Sequence, residues 1–145
     1  MLSGSNDNTL KLWSVATGAC IRTLGHAPST GHSAFVVACC FSPVDGNTIL
    51  SCSHDNTLKL WDATTDVCRR TLTGHTAIVK GCAIHGNLLL SCSDDKRLKL
   101  WDAATWACTA TLQGHESSVS CCAIRPDGCL ASGDRSGKLK LWRRA

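Results

Sequence analysis

The stretch "CSHDNTLKLWDATTDVC", from Cys52 to Cys68, is written again with small changes as "CSDDKRLKLWDAATWAC", from Cys92 to Cys108. Aligned on tryptophan, the chain reads "LSGSNDNTLKLW" to Trp13, "LSCSHDNTLKLW" to Trp61, "LSCSDDKRLKLW" to Trp101 and "LASGDRSGKLKLW" to Trp142, at intervals of 48, 40 and 41 residues. A period of this size means that each unit is one supersecondary element, which buries its faces only by stacking on its neighbours. Ahead of the last three copies lie "GHSAFVVACCF", "GHTAIVKGCAI" and "GHESSVSCCAI", so that Gly31-His32, Gly74-His75 and Gly114-His115 occupy equivalent places. Gly25-His26 falls out of register, inside an insertion "GHAPST" that lengthens the first interval together with the turn "SPVDGNT".

Each unit has the pattern of strands. "TLKLW" alternates, placing Leu58 and Leu60 on one face and Lys59 and Trp61 on the other. The runs are short and are closed by turn residues: Asp45-Gly46, Gly86-Asn87 and Asp127-Gly128 after the first strand, then Asp-Asn or Asp-Lys before "LKLW". A unit therefore reads as four strands, the last being "CRRTL" or "CTATL".

Composition bounds the function classes. With 145 residues, 43% hydrophobic and 18% charged, the chain is expected to fold as one globular unit. The net charge of +4 is a mild excess, and its one dense pair is Arg143-Arg144, so no nucleic-acid stripe stands out. No run approaches the roughly 18 apolar residues of a membrane helix, and the first residues lack the basic start of a signal peptide. No membrane partner and a cytoplasmic location, or a nuclear one, are expected.

Eleven cysteines suggest a disulfide framework or a metal site, but their spacing argues for neither. Cys20, Cys68 and Cys108 each follow a tryptophan by seven residues, Cys52 and Cys92 precede one by nine, and Cys39, Cys82 and Cys122 each follow a histidine by seven. Cysteine recurs as a repeat position. Glycine takes the Cys52 position in the outer copies, as Gly4 and Gly133, which points to a small, close-packed site. There is no C-x-x-C, so reduced thiols packed as small apolar side chains are expected, with no metal and no cofactor. The vicinal pairs Cys39-Cys40 and Cys121-Cys122 are the candidates for redox sensitivity.

The Gly-His, the Ser-x-x-x-Asp turn and the Trp-Asp ending, in registered copies of about forty residues, resemble the WD-repeat β-propeller family over practically the whole chain. The resemblance implies an all-β fold of four-stranded blades in a ring. It also implies a protein-binding scaffold without catalytic activity. On the family's pattern the chain divides into a partial blade at 1–24, blades at 31–72 and 74–112, and a partial blade at 114–142, about three and a half blades of a ring of seven. Seven such units need roughly 280 residues at this period, so about half a ring is expected, with apolar blade faces and strand edges left open to self-association.

His32, Ser51, Asp55 and Trp61 stand at positions resembling the family's buried hydrogen-bonded tetrad, as do His75, Ser91, Asp95 and Trp101. A hydrolase built on His, Ser and Asp is the competing reading. It needs one triad, whereas this chain repeats its set at a fixed period, as a packing element does. A buried indole N–H needs an acceptor; a serine hydroxyl supplies it while donating to histidine, and the aspartate fixes the imidazole. The first copy has Ser3, Asp7 and Trp13 but no preceding Gly-His. The last has His115, Ser132 and Trp142, with Ser136 at the aspartate position and Asp134 displaced by two, which leaves the fourth member of its tetrad open.

The second-to-third-strand turns keep their frame but change charge, as loops do when they carry function on a fixed scaffold. His54, Asp94, Lys96, Arg97 and Arg135 are therefore candidates for contact with a protein or peptide partner. Phosphopeptide or nucleic-acid binding through Lys96, Arg97, Arg135, Arg143 and Arg144 is the alternative within the binding class. Trp106 is the tryptophan outside the repeat register, in a turn where the other copies have Gly18 and Asp66. Two readings of it remain: a shifted turn that lets the ring cover a neighbouring strand, or an exposed anchor for a partner.

Overall fold

The computed structural model describes residues 1–26 and 29–143, and every regular element in them is a strand. There are fourteen: β1 (Leu2–Gly4), β2 (Leu10–Trp13), β3 (Cys20–Leu24), β4 (Val36–Phe41), β5 (Thr48–Ser53), β6 (Leu58–Asp62), β7 (Cys68–Leu72), β8 (Val79–His85), β9 (Leu88–Ser93), β10 (Leu98–Asp102), β11 (Cys108–Leu112), β12 (Val119–Ile124), β13 (Leu130–Asp134) and β14 (Leu139–Trp142). They form four antiparallel meanders, β1-β2-β3, β4-β5-β6-β7, β8-β9-β10-β11 and β12-β13-β14. Each keeps sequence order, because turns of a few residues allow only the next strand to pair.

Alternation sets the stacking. In β5, Ile49 points into a cluster with Leu10, Leu24, Val36 and Trp61, while Leu50 and Cys52 point the other way, into a cluster with Leu58, Leu60, Leu72, Val79, Leu89 and Trp101. A third cluster, built on Leu90, Cys92, Leu98, Val119 and Leu130, lies between the third and fourth sheets. The core is thus a row of three layers, each shared by two consecutive sheets. Every residue of β5 is buried, since it has a sheet on both faces. The first strands of successive sheets lie side by side: β4 touches β8, and β8 touches β12.

This layering explains the glycine of the first copy. A Cβ on Gly4 would lie 2.7 Å from Val36 Cγ1 and 2.9 Å from its carbonyl oxygen, so β4 can pack on β1 only over a glycine. At Gly133 the crowding comes from within the sheet: a Cβ would lie 2.9 Å from Sγ of its register partner Cys121.

The cysteines divide by position. Cys52 and Cys92 are buried, whereas Cys20, Cys108 and Cys121 are exposed, so packing as an apolar side chain describes only part of the set. The pair Cys39-Cys40 is divided between two layers. Cys39 packs into the layer with Trp61 while Cys40 points into the next layer, where its sulfur lies 4.0 Å from that of Cys82. Burial raises the Cys39 thiol to about 11. The Cys82 thiol and burial together raise that of Cys40, so both stay protonated and poorly nucleophilic.

Candidate functional site

The repeated His, Ser, Asp and Trp side chains converge because the four strands and two loops of a unit bring them to one edge of the sheet. Ser51 pairs with Lys59 across β5 and β6, which sets its hydroxyl beside the indole of Trp61 two residues on. The indole Nε1–H donates to Ser51 Oγ at 2.8 Å, that oxygen lies 2.7 Å from His32 Nε2, and His32 Nδ1 lies 2.7 Å from Asp55 Oδ2. In the third sheet the same chain runs from Trp101 to Ser91 at 2.9 Å, to His75 at 2.8 Å and to Asp95 at 2.7 Å. One proton arrangement satisfies every group. The indole donates to serine, serine donates to Nε2, and Nδ1–H donates to the carboxylate, with the imidazole neutral.

The electrostatics agree. Burial depresses His75 below its ordinary range and outweighs the pull of Asp95. Burial pushes Asp95 upward, but hydrogen bonds from His75 and from the Thr76 and Arg97 amides prevail, so its carboxyl lies below the usual carboxylate range. The free oxygen of each aspartate is occupied in the turn: Asp55 Oδ1 accepts from the Thr57 amide at 2.9 Å and from its hydroxyl at 2.6 Å. One carboxylate thus ties the Gly-His loop to the turn between the second and third strands.

The fourth sheet completes its set through Asp134. His115 Nδ1 lies 2.7 Å from Asp134 Oδ2, His115 Nε2 2.7 Å from Ser132 Oγ, and Trp142 Nε1 2.9 Å from the same hydroxyl. The inner copies place Ser53 and Ser93 where this one has Asp134, and Asp55 and Asp95 where it has Ser136. The order Ser-x-Asp has become Asp-x-Ser, and the longer side chain reaches His115 from two residues earlier. Asp134 Oδ1 still holds the turn, accepting from the Ser136 amide at 2.9 Å and its hydroxyl at 2.6 Å. That exchange was visible in "SHDN", "SDDK" and "DRSG". In the first sheet the Trp13 indole donates to Ser3 Oγ at 2.8 Å, and Asp7 Oδ1 accepts from the Thr9 amide at 3.0 Å.

The arrangement leaves no room for attack by serine. Ser51 and Ser91 are 0% exposed and Ser132 is 2% exposed. Each hydroxyl spends its proton on the imidazole and a lone pair on the indole, and a sheet covers the indole. Replacing His75 with alanine is expected to lower unfolding free energy by about 1–3 kcal/mol, through unpaired buried partners. In urea titrations of the two variants, the same change at His26, an exposed residue outside the repeat register, is expected to be nearly silent.

The second carboxylate of each inner unit, that of the Trp-Asp pair, closes the opposite end. Asp62 Oδ1 accepts from the Thr64 and Thr65 amides at 2.7 and 3.0 Å, Arg69 pairs with its other oxygen, and Asn87 Nδ2 reaches the equivalent Asp102 at 2.7 Å. Two arginines join neighbouring sheets at this end: Arg22 to Asp66 at 3.1 Å, and Arg70 to the Thr105 carbonyl at 2.6 Å. Sequence reading missed both, although they share the third position of "CIRTL" and "CRRTL".

The candidate contact residues fall on two rims. His54, Asp94, Lys96, Arg97 and Arg135 lie on the rim of the second-to-third-strand turns, with the Gly-His loops. Lys96, Arg97 and Arg135 are exposed, Asp94 pairs with Lys80 at 3.4 Å, and the His54 ring lies 5.4 Å from that of the exposed Phe35. Arg143 follows β14 at the opposite rim, so it does not join Lys96, Arg97 and Arg135 in one basic patch; Arg144 lies outside the described residues. Trp106 is on that opposite rim too. Its turn has not shifted: φ is +61°, beside +63° at Asp66 and +70° at Gly18, and its amide donates to the Asp102 carbonyl at 2.6 Å. The half-buried ring packs on the layer of Leu60 and Leu72, so contact with that layer holds a tryptophan in a conformation that favours glycine.

Comparison with known proteins agrees with this architecture. A family model described as "WD domain, G-beta repeat" matches residues 18–62, 66–102 and 106–143. The chain is also 33% identical over 86 residues to the nuclear distribution protein PAC1-2 of Uncinocarpus reesii (strain UAMH 1704), a match covering 58% of this chain and 17% of that protein. The chain therefore spans about a sixth of the length of this relative. Three matched repeats over most of its length, laid on four stacked antiparallel sheets, show that the chain belongs to the WD40 repeat family.

Proposed function

We propose that the protein is a non-catalytic interaction scaffold that takes a peptide segment of a protein partner on the rim of the second-to-third-strand turns. WD40 repeats are protein-interaction scaffolds in general, which supports the class. The observation that carries the choice of rim is a fixed frame with variable side chains. Asn8, Asn56, Lys96 and Gly137 hold the same left-handed position, at φ +70°, +68°, +68° and +84°. On that constant backbone the exposed groups differ: the Phe35–His54 ring pair on the second sheet, Lys96 and Arg97 on the third, Arg135 on the fourth. Cations beside an exposed ring suit a peptide that carries acidic residues next to an apolar one.

A random peptide library panned on the purified chain tests this reading. Selected peptides are expected to be acidic and to lose at least tenfold in affinity for the Lys96→Glu, Arg97→Glu variant, whose thermal midpoint stays that of wild type. Equal affinity for the two proteins, or no enriched peptide, contradicts this choice of rim.

A further inference from the structure

One pair of sulfurs spans two sheets. Cys40 of β4 and Cys82 of β8 are both half-buried, and their Sγ atoms lie 4.0 Å apart in the layer between the second and third sheets. The junction is internal to the chain: β4 touches β1 on its other side, and β8 touches β12. The contact is not a repeat feature. Cys39, Cys82 and Cys122 each follow the Gly-His histidine by seven residues, but the next residue is cysteine in the second sheet and alanine in the third and fourth, as Ala83 and Ala123. One junction further on, Ala83 therefore holds the place of Cys40. Cys122, in the place of Cys82, has its sulfur 3.9 Å from the Leu90 carbonyl oxygen instead.

We propose that Cys40 and Cys82 form a reversible disulfide that clamps the second sheet to the third, with a peroxide as the oxidant. The two sulfurs have about 2 Å to close to reach a bond of that length, and both pack on one layer with Leu50, Leu58 and Leu89. A disulfide is uncharged and suits that layer, whereas a thiolate does not. The Cys82 thiol and burial hold the Cys40 thiol high; at Cys82 the bond from Cys40 favours the thiolate, but the Cys52 thiol and burial outweigh it. Thiolate is scarce, so the clamp closes slowly. One thiolate attacks a peroxide oxygen and breaks the O–O bond, giving a sulfenic acid and, with the thiol's own proton, one water. The other sulfur then attacks the sulfenic sulfur, and its proton leaves with the displaced hydroxide as a second water. Two thiols and one peroxide thus give one disulfide and two waters. The bond joins residues 42 apart in sequence, and a loop of that length restricts the unfolded chain.

Hydrogen peroxide treatment of the dilute purified chain, followed by non-reducing peptide mapping with fragmentation to assign each sulfur, tests the pairing. An intrachain link between Cys40 and Cys82 is expected, with a thermal midpoint about 5 °C or more above that of the reduced chain. Dithiothreitol is expected to reverse both. Cys40→Ala introduces a residue that the third and fourth sheets already carry at this place, as Ala83 and Ala123. That variant is expected to fold, to form no such link and to keep its midpoint under peroxide. Recovery of Cys40 and Cys82 as free thiols or separate sulfinic acids, links from either of them to Cys39, Cys52 or Cys92 instead, or an equal rise in midpoint for Cys40→Ala overturns the proposal.

Discussion

Replacement of Trp61 by alanine is expected to lower the free energy of unfolding by about 3–5 kcal/mol, the range for removing a large aromatic side chain from a packed core. Trp61 is 0% exposed and sits between two sheets, in one cluster with Leu10, Leu24, Val36 and Ile49. Its loss opens a cavity in the layer that joins the first two sheets and leaves Ser51 Oγ without its indole donor. The backbone cannot collapse easily into that space, because every residue of β5 is already buried. The change is expected to shift the urea midpoint with little change in slope. At the half-buried Trp13 the same change is expected to cost less, and equal losses at the two positions would show that burial between sheets is not the source.

The second large effect is expected at Ser91. Its hydroxyl joins the Trp101 indole at 2.9 Å to His75 at 2.8 Å, so Ser91→Ala strands a buried donor and a buried acceptor at once. At about 1–3 kcal/mol for each unsatisfied group, a loss of about 2–6 kcal/mol is expected. A double-mutant cycle separates a network from independent contacts. With Ser91→Ala present, His75→Ala removes a partner already lost, so the double variant is expected to be more stable than the sum of the single losses implies. Strict additivity would mean that the two residues are not coupled.

The strands were legible in the sequence because two periods agreed. The alternation of "LKLW" fixed which side chains share a face, and the forty-residue repeat fixed which faces meet. The tetrads of the inner copies were legible for the same reason. What escaped depends on reach rather than on pattern. Asp134 was read as displaced because position was matched and side-chain length was not, yet an aspartate two residues early spans the gap to His115. For Trp106 the sequence leaves a shifted turn and an exposed anchor open, and the structure has neither in full: the turn keeps its left-handed backbone while the ring packs on a neighbouring layer, which outweighs the local preference. The split of Trp106 and Arg143 from the other candidate contact residues follows from antiparallel pairing, which sends the two ends of a strand to opposite rims.

The claim that the His, Ser, Asp and Trp sets hold the sheets together, rather than react, is tested most directly by proton exchange at the imidazole rings. In nitrogen-resolved NMR the ring Nδ1–H protons of His32, His75 and His115 are expected to be visible and slow to exchange with water, each held against Asp55, Asp95 and Asp134 at 2.7 Å. The indole protons of Trp61 and Trp101 are expected to share that protection, while that of Trp106 exchanges fast. Imidazole protons that exchange as fast as those of free histidine would contradict the account, because they would place solvent where the structure places a closed chain of hydrogen bonds.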